Sequence, residues 1–157
     1  MKPLSLLSLI LAACASGPTH STAVYVDQLQ PLLVENSALA GQVLEASSDV
    51  YNDRTSAGTL TLTWETEVVP MAEHLHLQAR LLQPPSDWIE PHQELVNLWG
   101  ARARGYRALS TAIAKGDEPL WKRGKGLADQ AKLDEEKWFI KNNATLAPQG
   151  VQLDQFP

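Results

Sequence analysis

One cysteine in 157 residues leaves no intramolecular disulfide available, so stability must come from an apolar core. No segment approaches the about eighteen consecutive apolar residues of a transmembrane helix. Cations are scarce in the first part of the chain. Residues 14–100 carry only Arg54 and Arg80 against eleven acids, a net of −9, whereas residues 101–157 carry ten cations against seven acids, a net of +3. Motifs for chemistry are also missing. There is no Gly-x-Ser-x-Gly, no His-Glu-x-x-His and no Cys-x-x-Cys-His. Gly124-Lys125-Gly126 is too short for a phosphate-cradling loop and falls inside a helical pattern. These absences argue against a nucleophilic hydrolase, a zinc protease, covalent haem and a nucleotide-binding enzyme. No cofactor is expected.

What is present begins with a leader. Lys2 precedes an apolar run from Leu4 to Ala13 that closes on small residues, the order of an export signal. Ten residues rise about 15 Å as a helix, roughly half of a hydrocarbon core, too little for a permanent span. Leu11-Ala12-Ala13-Cys14 resembles the lipobox of bacterial lipoproteins. The resemblance implies diacylglyceryl transfer to Cys14, cleavage before it, frequent acylation of the new amine, and a cell-envelope location. With Ala15 rather than Asp next, it implies the outer membrane, facing the periplasm, in a Gram-negative host. Residues 1–13 are then the signal peptide and 14–22 a lipidated tether. Residues 23–141 form the domain and 142–157 a tail.

Within the domain, apolar residues recur at intervals of three and four in four segments, the mark of amphipathic helices. The first runs from about Val24 to Val50 through Leu29, Leu32, Leu39 and Val43, with Pro31 marking a start or a kink. The second carries Trp64, Val68, Met71, Leu75, Ala79 and Leu82, and ends at Pro84-Pro85. Its opening, Thr59 to Trp64, also alternates as a strand would; the longer pattern favours a helix. The third has Ser86 as N-cap, then Trp88, His92, Leu95, Trp99, Tyr106, Leu109 and Ile113. Gly116 suits a left-handed C-cap and Asp117 an N-cap for the fourth, which carries Leu120, Gly124, Leu127, Ala131 and Trp138. Small residues at 124, 128 and 131 would admit a close neighbour. Four such segments with short joints predict an all-α fold, an antiparallel up-down four-helix bundle. Ser86 to Lys141 loosely resembles helical hairpins of uncharacterised small lipoproteins.

Few side chains suggest chemistry. Glu73 and His76 make the Glu-x-x-His of carboxylate-bridged metal bundles, but the stripe through Met71 and Leu75 turns Glu73 to solvent. His74 and His76 diverge on a helix and would share a face only on a strand. His92, on the apolar side, reads as a hydrogen-bonded core residue, and no metal site is expected. Carboxylate pairs such as Glu135 with Glu136 read as solvated faces. Of five tryptophans, Trp64, Trp88, Trp99 and Trp138 fall on the stripes and read as core; Trp121 lies beside one. Arg102, Arg104, Arg107, Lys115, Lys122, Arg123 and Lys125 gather around the third turn. This cluster either balances an acidic neighbouring half, with Asp49 and Asp53 of the first turn at the same end of an up-down bundle, or meets a partner.

The partner-binding residues this suggests are Arg102, Arg104, Arg107, Trp121, Lys122, Arg123 and Lys125. Partners are the membrane through lipidated Cys14, and an envelope protein or anionic glycan rather than nucleic acid. The resulting expectation is a lipid-anchored, non-enzymatic interaction or accessory subunit. The alternative is a bundle binding a small ligand or metal between its helices, with an exported enzyme third.

Overall fold

A serine and a threonine start the first helix. The Ser21 hydroxyl accepts the Val24 N–H at 3.3 Å, and helix α1 then runs Thr22–Tyr51. The computed structural model describes residues 21–51 and 56–153. The leader, Cys14 and most of the tether lie outside them, as do Asn52 to Thr55 and the last four residues. Pro31 neither begins α1 nor ends it, for the helix passes through the proline. Leu29 and Leu39 are buried as the stripe requires, Leu32 and Val43 partly so, and Tyr25, Val26, Leu33 and Asn36 join them.

Helix α2 (Ala57–Thr63) is capped by Ser56, whose hydroxyl accepts from Thr59 N at 3.1 Å. It continues through a π-helical turn, Trp64–Val68, into α3 (Val69–Leu81). Residues 59–65 are therefore helical despite their strand-like alternation. The wide turn has a local cause. Pro70 brings no N–H and its ring crowds the preceding turn, while Val69 N–H reaches back five residues to Trp64 O. Pro84 and Pro85 end this stretch.

A 3-10 turn, Ser86–Trp88, leads into α4 (Ile89–Lys115). Ser86 does not act as the expected cap: its hydroxyl bonds to Asp87, and Trp88 N–H bonds to Pro85 O instead. The other end matches the sequence. Gly116 sits at φ 63°, and Asp117 accepts from Leu120 N at 2.9 Å to start α5 (Glu118–Leu146). Where the apolar pattern fades, the chain still packs. Leu146 and Leu153 are buried, and both ends of the Asn143 amide bond to the backbone of Leu153.

The described residues are all helix and connection, with no strand. Helices α4 and α5 form the most extensive contact, and their pairings run in opposite directions, from Gly105 beside Gly124 and Ala128 to Glu94 beside Lys141. Small residues create this approach, as the sequence predicts. A Cβ on Gly105 would lie 2.9 Å from Ala128 N and Gly124 O, and one on Gly124 would lie 2.9 Å from Gly105 O. Helix α3 packs on α4, and α1 on α3. Trp64, Trp88, Trp99 and Trp138 all lie in the core. Rings meet edge-on from Trp88 to Trp138 and from Trp138 to Phe139. Among the described residues no helix is long and apolar enough to cross a membrane.

Candidate functional site

Polar residues interrupt the apolar stripes of three helices, and one from each helix meets the others. On α4, Arg102 falls between Trp99 and Tyr106; on α5, Glu135 falls between Ala131 and Trp138; on α1, Asn36 falls between Leu33 and Leu39. All three are buried. Arg102 NH1 donates to Glu135 Oε2 at 2.6 Å. The other carboxylate oxygen accepts from Trp99 Nε1 at 2.6 Å and from Asn36 Nδ2 at 3.0 Å. Arg102 NH2 closes the ring by donating to Asn36 Oδ1. Each charged group thus has both an opposite charge and neutral hydrogen-bond partners, the condition under which a buried pair is tolerated.

A second polar contact lies toward the start of α1. The Tyr25 hydroxyl and His92 Nδ1 share a hydrogen bond of 2.9 Å, and the His92 ring meets Tyr25 edge-on. Burial pushes the Tyr25 phenol well above its ordinary value and holds His92 below the usual histidine range, so both are neutral in the fold. Trp138 Nε1 donates to Pro91 O at 2.7 Å, tying α5 to the same region. Trp64 packs edge-to-face on Tyr106 at 5.5 Å. Its buried N–H has no partner among the described residues.

The basic cluster read from the sequence divides. Arg102 is 6% exposed and belongs to the buried ring, so it is withdrawn from any docking surface. Arg107 donates from Nε to Glu73 Oε1 at 2.7 Å, bridging α4 to α3, so Glu73 is a paired residue rather than a free solvent-facing one. Lys122 pairs with Glu118 at 2.6 Å and Lys125 with Asp129, both within α5. Arg104, Arg123 and Lys115 have no carboxylate partner among the described residues. Trp121 is 41% exposed, as its place beside the stripe suggests. The structure therefore gathers Arg102 with Asn36, Trp99 and Glu135, a grouping the sequence did not suggest, and leaves Trp121, Arg123 and Lys115 around the α4–α5 turn. Asp53 and the Asp49 side chain, expected to face this turn, lie outside the described residues.

Glu135 is the residue that sequence reasoning misplaced. Adjacent Glu136 is exposed, and the pair looked alike. The phase of the stripe carries the missing signal, because Ala131, Glu135, Trp138 and Asn142 succeed one another at four, three and four. Among the described residues no group of three or more metal-binding side chains converges. Comparison with family models, curated proteins and solved structures finds no match to this chain.

Proposed function

We propose that the chain is a lipid-anchored cell-envelope protein, held by acylated Cys14, that serves as a non-enzymatic interaction or accessory subunit. One observation carries this reading: Lys2, the apolar run to Ala13 and the sole cysteine stand in the order and spacing of a lipoprotein leader. Two or three acyl chains hold a protein firmly, at about 0.8 kcal/mol per buried methylene. For a Gram-negative host the outer membrane, facing the periplasm, is the proposed location.

The helix registers support an up-down-up-down order for the domain. Tyr25 of α1 meets His92 near the start of α4, and Asn36 meets Arg102 further along, so these two run in the same direction. Glu73 and His76 of α3 meet Arg107 and Gly100 in reverse order, and α5 runs back along α4. In that arrangement α1 begins at the membrane, and the turn at Gly116 lies at the far end. A helix of about 25 residues is roughly 37 Å long, well beyond a Debye length of about 8 Å. Trp121 and Arg123 then face outward to a partner, for which an envelope protein or anionic glycan is the fitting chemistry.

Cys14→Ser is the test. The variant should lose acyl labelling and accumulate as the uncleaved precursor. A cleaved form of unchanged membrane association would contradict the anchor. A photocrosslinking residue in place of Trp121 should trap an envelope component in cells, and the same probe in place of Glu136 should not; equal trapping would remove Trp121 from the docking face.

A further inference from the structure

On the α3–α4 rim, three basic groups gather without an acid among them. His76 and Arg80 stand one turn apart on α3, and Arg104 stands one turn after Gly100 on α4. A Cβ added to Gly100 would lie 2.9 Å from His76 Nε2 and 3.4 Å from Arg104 NH1. The imidazole packs edge-on against the bare Gly100 backbone, where a side chain would displace it, and the Arg104 guanidinium lies beside it. Arg80 and Arg104 are exposed, and neither has a carboxylate partner among the described residues.

The groups facing His76 from both helices account for its surroundings. On its own helix, Arg80 follows it and Glu73 precedes it; from α4, Arg104 approaches it while Arg107 reaches Glu73. Glu73 is held by Arg107 through two N–H donors on one oxygen, so its charge is already matched. His76 lies below the usual histidine range because of burial, then Arg80, then Arg104, and no carboxylate offsets them. The two guanidinium charges disfavour the protonated imidazole, and an anion bound among the three groups would offset that. Arg80 is moreover one of only two cations in residues 14–100.

We propose that Arg80, His76 and Arg104 form a binding site for a phosphate group on the solvent-facing rim of α3 and α4. Two guanidinium forks and the imidazole Nε2 supply charge-assisted donors to a tetrahedral oxyanion. The phosphate belongs either to a small soluble ester or to a lipid headgroup. Leu77 and Leu81, exposed on α3 beside His76 and Arg80, make the lipid source worth a separate arm. The proposal does not depend on the anchor at Cys14.

Histidine-ring NMR of the full chain in neutral detergent tests it, with His76→Gln identifying the His76 signals. Glycerol phosphate added at constant ionic strength should shift those signals saturably and move their titration midpoint upward, leaving His92 unchanged. Arg80→Gln and Arg104→Gln, both at exposed positions, should each weaken this response about tenfold or more, since a hydrogen bond to a charged group contributes on that scale. Arg107→Gln should change it far less. Saturation by glycerol phosphate identifies the soluble source. A response only to phosphatidylglycerol vesicles, and not to phosphatidylcholine, identifies the headgroup. A shift that chloride at equal ionic strength reproduces, or one that survives both arginine substitutions, overturns the site.

Discussion

Removing the Glu135 carboxylate should be among the most damaging single changes in the domain. Glu135→Leu puts an apolar side chain of similar bulk in its place but leaves Arg102 as an unpaired buried charge. It also strips Trp99 Nε1 and Asn36 Nδ2 of their shared acceptor, now at 2.6 and 3.0 Å. Breaking one side of a buried pair costs about 3–5 kcal/mol, and each orphaned neutral donor about 1–3 kcal/mol. These costs overlap, because one relaxation or one entering water relieves several groups at once, so about 3–5 kcal/mol is the working figure. Against a total stability of about 5–15 kcal/mol this lowers the melting temperature by roughly 10–20 °C. Arg102→Met should cost a similar amount, for it leaves the carboxylate buried. The double variant Arg102→Met/Glu135→Leu removes both charges together and should be more stable than either single one. Adding Asn36→Leu, which removes a further orphaned amide, should recover more. Urea unfolding followed by tryptophan fluorescence measures all four variants, and the cycle gives the coupling directly. Additive single losses, or a Glu135→Leu variant within about 0.5 kcal/mol of the parent, would show that the ring is not closed as described.

Two glycines on α5 should answer the same substitution with opposite sign. Gly124→Ala drives a Cβ to 2.9 Å from Gly105 O and should cost about 1–3 kcal/mol, whereas Gly126→Ala meets nothing within 4 Å and should gain about 0.5–1 kcal/mol of helix propensity. Thermal melts of the two proteins decide this, and matching shifts would contradict the close α4–α5 approach. Acid should weaken the fold through His92. Burial holds its folded pKa below the unfolded value of about 6.5, so the unfolded chain binds more protons there. Stability is then full above that value and declines as pH falls through it toward the folded pKa. His92→Gln keeps a polar partner for Tyr25 and should flatten part of that decline; an unchanged slope would remove His92 as a cause.

Much of the helical framework was legible in the sequence because it rests on local chemistry. Gly116 and Asp117 mark the α4–α5 joint by their own conformational and hydrogen-bonding preferences, and the small residues from Gly124 to Ala131 announce a close neighbour. Tryptophans on the stripes became core for the same reason. Local rules also misled where two of them competed. Ser86 offers a hydroxyl for capping, but the preceding Pro84-Pro85 fixes a 3-10 turn that serves Trp88 instead. Thr59 to Trp64 has the composition of a strand, yet Ser56 caps it and α3 extends it as a helix. Pairing across helices was the least legible. Arg102 and Glu135 look like surface charges when each is read with its neighbours, and only their phase on the stripes places them inside. Asn36 escaped notice for want of any local anomaly. Its partners lie 66 and 99 residues away.

The proposed anchor at Cys14 is the centre of the functional account, and mass spectrometry of the protein taken from envelope membranes tests it most directly. The account predicts an N-terminal peptide beginning at Cys14 and carrying two or three acyl chains, with residues 1–13 gone. A chain beginning at Met1 with an unmodified Cys14 thiol, or one cut elsewhere and free of lipid, would contradict it.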